Sequence, residues 1–228
     1  MQDFSAMLKA GLQAVAVPVA DEQIELLFAY FTELKKWSEK INLIARGTGD
    51  LEIIEKHFLD SLSLLRILPD GSHLLDVGSG AGFPGLVCRA ARPNLRVTLV
   101  EPRLKRVSFL KHLVRLLALN DVQILAGRIE NQQLLPSNTF FTHAVSRAVG
   151  GIGSFCQMLD RFDNKKMQVI CMKGPKWRQE LENARKKYGI TITDYKVENI
   201  ELPLTRSQRA MVHFELDKIC EYEQNARK

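Results

Sequence analysis

Two carboxylates, Asp76 and Glu101, bracket a turn in which Gly78, Gly80 and Gly82 alternate with small residues. Glycines in that pattern let the chain take positive φ and bring backbone N–H groups to a ligand with no Cβ in the way. Leu74 to Val77 reads as an apolar strand entering the turn, and Pro84 suits the first turn of a helix leaving it, where a missing N–H costs nothing. Strand, glycine turn and helix, with an acid before the turn and another closing the next strand, form a binding site for a small charged molecule.

Which molecule is decided by charge. Gly80 to Gly85 satisfies G-x-G-x-x-G, and Glu101 lies where a dinucleotide fingerprint has its ribose-binding acid, so a nucleotide-dependent oxidoreductase using NAD is one reading. Asp76 argues against it, because a carboxylate beside a pyrophosphate would repel it in a poorly screened site. S-adenosylmethionine is cationic through its sulfonium and amino groups and favours an adjacent acid. The order D-x-G-x-G-x-G followed by an acid ending the next strand resembles the class I methyltransferases, and a small-molecule methyltransferase stays open at this point.

The elements that position these residues follow from periodicity. Residues 1–69 read as a helical leader: Asp21 is expected to cap a helix with Ile24, Leu27, Phe28, Phe31 and Leu34 inward, and Asp50 a second with Leu51, Ile54, Phe58, Leu62 and Leu65 on one stripe. His57, Asp60 and Ser61 share a neighbouring face of that second helix at i, i+3 and i+4. Pro69-Asp70-Gly71 marks a boundary. Strands are then expected at Leu74–Val77, Arg96–Glu101, Val122–Leu125, Thr142–Ser146, Met167–Met172, Thr191–Val197 and Met211–Leu216. Helices are expected at Pro84–Ala91, Pro102–Leu119 and Trp177–Lys187, with another after Gly153. That rhythm predicts an α/β fold: a Rossmann-like, doubly wound, mostly parallel sheet with a C-terminal antiparallel pair, an N-terminal helical cap, and ligands outside the carboxyl ends of the strands. The domain expectation is a leader over 1–69, a catalytic domain over 70–218 and a tail over 219–228.

Other strand ends carry further candidates. Ile129 and Glu130 follow the third strand, where an apolar side chain could pack on an adenine ring. Arg147 ends the fourth, and an arginine buried there needs a carboxylate or phosphate partner. Lys173 ends the fifth, placed to meet a phosphate. From 165 to 187 eight basic residues, Lys165, Lys166, Lys173, Lys176, Arg178, Arg185, Lys186 and Lys187, face only Glu180 and Glu182. A second basic run, Arg103, Lys105, Arg106, Lys111 and Arg115, follows Glu101, and the chain carries a net charge of +6. Clusters of this kind favour a nucleic-acid substrate.

The totals agree with a single principal domain: 228 residues at 46% hydrophobic suffice for one α/β core and a small appendage. No apolar run reaches the roughly eighteen residues that span a bilayer, and no signal-peptide pattern opens the chain, so a soluble cytoplasmic protein is expected. Cys88, Cys156, Cys171 and Cys220 are dispersed, indicating neither a metal site nor a disulfide framework.

Taken together, Asp76 to Gly85, Glu101 with Lys105-Arg106-Val107-Ser108-Phe109-Leu110, Gly127-Arg128, Ser146-Arg147-Ala148 and Lys173-Gly174 closely resemble the bacterial small-subunit ribosomal RNA guanine-N7 methyltransferases, the glucose-inhibited division protein B family. Lys36-Trp37, Asn42-Leu43 and His57-Phe58-Leu59-Asp60-Ser61 match that family's leader, and the likeness runs from about residue 21 to 217. Ile44 departs from it, standing where the family usually has threonine. The resemblance implies S-adenosylmethionine held by Asp76, Gly78, Gly80, Phe83, Glu101, Ile129, Glu130 and Arg147. It also implies 16S ribosomal RNA, or the small subunit, as partner. Arg147 would position the reacting end, with no general base. Candidates for RNA contact are then His57, Asp60, Ser61, Lys173, Lys176 and Arg178, and a monomer without metal is expected.

Overall fold

A computed structural model describes residues 2–147 and 149–221. Ala148, in the Ser146-Arg147-Ala148 stretch, and residues 222–228 of the expected tail lie outside the described residues. The centre is a seven-stranded sheet built from β1 (His73–Val77), β2 (Arg96–Glu101), β3 (Val122–Ala126), β4 (His143–Arg147), β5 (Gln168–Lys173), β7 (Lys196–Glu201) and β8 (Gln208–Glu215). Their order across the sheet is β3-β2-β1-β4-β5-β8-β7. The first five run parallel, with Val77 level with Val100 on one side and Ser146 on the other. β8 pairs antiparallel with β5 and with β7. Strand order reverses between β1 and β4, and a crevice opens at such a switch point.

Both faces of the sheet are covered. α1 (Gln2–Ala14), α2 (Asp21–Ser38) and a composite helix over 50–66, here α3, share one apolar cluster with α4 (Gly85–Ala91), α5 (Leu104–Leu116) and one sheet face. α6 (Ile152–Leu159) and α7 (Trp177–Tyr188) bury the other face through Phe155, Leu159 and Trp177. The leader therefore has no core separate from the sheet: Leu27, Phe58 and Leu86 belong to one contiguous cluster.

Several local expectations differ from what is observed. Asp21 and Asp50 are not caps: Ala20 and Gly49 hold those positions without side-chain bonds, and the aspartates sit in the first turn, where their charge favours the helix dipole. Leu51, in the first α-helical turn of the 50–66 helix, is 60% exposed and does not join the apolar stripe. Residues Ile54–Leu59 form a π-helical turn and Ser63–Arg66 a 3-10 turn, yet Ile54, Phe58, Leu62 and Leu65 of the expected stripe all remain buried. Thr191–Val197 is two strands, not one. Ile190–Ile192 is β6, which pairs with β9 (Ile219–Glu221) in a separate two-stranded sheet, while β7 begins at Lys196. Ile44, at the departure from the family pattern, packs half-buried against the core cluster.

Candidate functional site

The glycine turn is shaped by three left-handed residues, with φ of 72° at Gly78, 59° at Gly80 and 93° at Gly82. Gly82 is also sterically constrained: a Cβ there would lie 2.1 Å from the Tyr30 hydroxyl. That hydroxyl, fully buried on α2, donates to the Ala81 carbonyl at 2.5 Å, so the leader grips the turn directly. Gly85 is required for a different reason, since its Cβ would lie 2.8 Å from Asp76 Oδ2, which accepts the Gly85 N–H at the start of α4.

Asp76 is thus wholly buried beneath the turn, not in the cavity wall. Burial pushes its carboxyl up to about 7; the Gly85 N–H and the Arg147 charge pull the other way, and Glu101 adds to the rise.

Above the turn, at the carboxyl ends of β1, β2, β3 and β4, lies a cavity of 440 Å³. Gly78, Gly80, Phe83, Glu101, Ile129, Glu130 and Arg147 all line it, as does His57 from the leader. The structure therefore brings together every expected donor-site residue except Asp76. Glu101 is 2% exposed and doubly held: Oε2 accepts the Gly80 N–H and Oε1 the Arg103 N–H, each at 2.9 Å. Each oxygen keeps a lone pair for a ligand. Ile129 is buried and Glu130 exposed, so the third-strand wall is apolar inside and charged at the rim.

The Arg147 guanidinium finds its carboxylate within the chain. It donates to Asp60 Oδ2 at 3.3 Å and to the Lys56 carbonyl at 3.0 Å, it meets His57 Nδ1 at 3.2 Å, and it lies 5.0 Å from the centre of the Phe83 ring. The sequence signal, a basic residue at a strand end, gave the need for a partner but not its address, because that partner lies on a helix far away in the chain. Asp60 also pairs with Arg209 at 3.3 Å. Burial raises the Asp60 pKa, while the two guanidiniums hold it back.

The other expected RNA contacts divide. Ser61 is fully buried, its hydroxyl donating to the His57 carbonyl, so it does not reach the rim. Lys173 is 8% exposed and neutralised, 2.9 Å from Glu180 and donating to the Gly150 carbonyl, because the α7 carboxylate reaches back over the end of β5. Lys176 and Arg178 are exposed at the start of α7, with the Arg178 guanidinium 4.2 Å above the Trp177 ring. Tyr30 and Arg209 were not among the sequence candidates. Tyr30 could have been found, since it falls on the inward face with Leu27 and Leu34, but nothing local marks Arg209.

Among the described residues no group of three or more His, Cys, Asp or Glu side chains could hold a metal ion, and no helix is long and apolar enough to cross a membrane. Residues 23–211 match the family model described as rRNA small subunit methyltransferase G. The chain is 47% identical over 213 residues to the ribosomal RNA small subunit methyltransferase G of Desulfotalea psychrophila, covering 92% of this chain and 97% of that protein. Among solved structures, a methyltransferase from Pyrococcus furiosus superposes with a TM-score of 0.54 at 15% identity, over 82% of this chain and 97% of that one. M. jannaschii TYW2 in complex with AdoMet gives 0.52 at 15% identity, over 77% of each.

Proposed function

The chain belongs to the rRNA small subunit methyltransferase G family, and from that membership we propose that it transfers a methyl group from S-adenosylmethionine to N7 of one guanine in the 16S ribosomal RNA of the small subunit. The observation that carries the reading is the cavity itself, where a side-chain-free turn faces a doubly anchored Glu101.

The residues suit a sulfonium donor better than a pyrophosphate. Glu101 would accept the ribose hydroxyls with its remaining lone pairs, Ile129 would pack on the adenine, and the backbone around Gly78 and Gly80 would hold the amino-acid end. Asp76 acts behind the turn, holding the start of α4 and adding negative potential once ionised. When bound, S-adenosylmethionine supplies an electrophilic methyl group on its sulfur. Guanine N7 carries a free lone pair and no proton, so no residue has to serve as general base. The chain's contribution is to position the base. Arg147, fixed by Asp60, is a positioning residue at the boundary where a base would arrive. Lys176 and Arg178 extend the contact surface toward RNA phosphates. This reading places the protein in the cytoplasm, working as a monomer, with residues 1–69 and 70–218 acting as one unit because they share a core.

Calorimetric titration with S-adenosylmethionine and with NAD tests the donor assignment. Binding of the first and none of the second is expected; the reverse would overturn the proposal.

A further inference from the structure

Arg147 is the one described residue bordering two hollows, the 440 Å³ cavity and a second of 280 Å³ lined by Asp60, Lys173, Glu180 and Arg209 among others. Beside it, His57 lines the larger hollow, its ring stacked on Phe83 at 5.0 Å and 30°. A guanidinium can only donate, so the His57 Nδ1 that meets Arg147 at 3.2 Å must be the nitrogen carrying the lone pair. Burial and the Arg147 charge hold the ring neutral, with its pKa down to about 4. A neutral imidazole with a bare Nδ1 has its proton on Nε2. Among the described residues nothing accepts that proton. The site thus holds a hydrogen-bond donor of fixed tautomer and fixed ring plane, beside the residue that borders both hollows.

We propose that His57 reads the target base, donating from Nε2 to O6 of the guanine whose N7 is methylated, and so selects guanine over adenine. The inference rests on the guanine-N7 reading above. Along this edge guanine offers two acceptors, N7 and O6, whereas adenine offers N7 beside an amino donor. N7 must stay free for the incoming methyl group, which leaves O6 as the atom by which the edge is held. A fixed donor satisfies O6 and confronts the adenine amino group with a second donor, leaving both unpaired. Protonated imidazole would donate from both nitrogens and lose its bond from Arg147, so the neutral form is the one that can both rest on the guanidinium and read the base.

The test compares small-subunit RNA carrying guanine at the target position with the same RNA carrying 2-aminopurine, which keeps N7 and lacks O6. The ratio of kcat/KM for the two RNAs is measured for the wild type, for His57→Phe, which keeps the stacked ring without a donor, and for His57→Gln, which restores an N–H. Differences in N7 reactivity enter each ratio equally, and His57→Leu replaces the phenylalanine variant should that one not fold. The wild-type ratio is expected to exceed that of His57→Phe by about tenfold, with His57→Gln recovering most of the difference. Equal ratios in wild type and His57→Phe would overturn the inference. So would an unchanged ratio with weakened S-adenosylmethionine binding by calorimetry, which would assign the Nε2 proton to the methyl donor. Failure of the wild type to methylate the guanine RNA at all would overturn the parent reading and this one with it.

Discussion

Tyr30→Phe removes a single oxygen from the point where leader and donor turn meet. The Tyr30 ring is fully buried and stacked on Phe83 at 5.9 Å and 15°, so phenylalanine fills the same space and opens no cavity. Burial raises the Tyr30 pKa well above its ordinary value, so the hydroxyl keeps its proton and donates at neutral pH. What the substitution leaves behind is the Ala81 carbonyl without the donor that reaches it at 2.5 Å. An unmet buried acceptor costs about 1–3 kcal/mol. Urea unfolding should show a loss of that size. Because the bond constrains the turn in the folded state, part of the cost should also appear in binding. About 1 kcal/mol falling on the turn would weaken S-adenosylmethionine roughly fivefold. Titration calorimetry beside urea curves separates the two effects. A stability loss with unchanged affinity would refute the claim that the leader sets the donor site, and no change in either would refute the hydrogen bond itself.

Glu101→Gln sets an amide against two backbone donors, Gly80 N–H and Arg103 N–H, of which its single oxygen can serve only one well. S-adenosylmethionine should bind at least about tenfold more weakly, and unchanged affinity would remove Glu101 from the site. Asp76 gives a pH dependence of definite sign. Its folded pKa is raised from 3.8 to about 7, so between those values the unfolded chain ionises while the folded one stays protonated, and stability falls as pH rises. At 1.36 kcal/mol per pH unit the loss attributable to this group is at most about 4 kcal/mol. Asp76→Asn should flatten urea-derived stability across that window, and a slope identical to wild type would show that Asp76 titrates normally. Charge reversal at Lys176 and Arg178 should lower the slope of log affinity against log salt for RNA by about one for each phosphate no longer neutralised. An unaltered slope would take α7 out of the interface.

The sequence made the parallel sheet legible because each strand is a short apolar run closed by glycine, acid or basic residues; Arg96–Glu101 appears with the expected bounds. That Gly78, Glu101, Ile129 and Arg147 would line one cavity was legible for the same reason, since Glu101 and Arg147 close strands and Gly78 and Ile129 follow strand ends that the fold must gather. Properties set by long-range packing were not. Asp76 looked like a ligand-facing acid because its position at the strand end is correct, but the turn folds over it and commits it to Gly85. Ser61 kept helical spacing with His57, yet the π-helical turn and the packing of α3 on α4 put it inside, where its carbonyl accepts the Cys88 thiol. Lys173 read as a free cation because Glu180, its partner, lies on the next helix and approaches only after the chain turns at Gly174.

Methyl transfer to N7 of one guanine is tested most directly on the small subunit itself. Small ribosomal subunits are incubated with the protein and S-adenosylmethionine labelled in its methyl group, and the labelled nucleotide is identified and mapped. N7-methylguanosine at a single position of the 16S RNA is expected. Label on another atom, on another base, or nowhere in that RNA would contradict it.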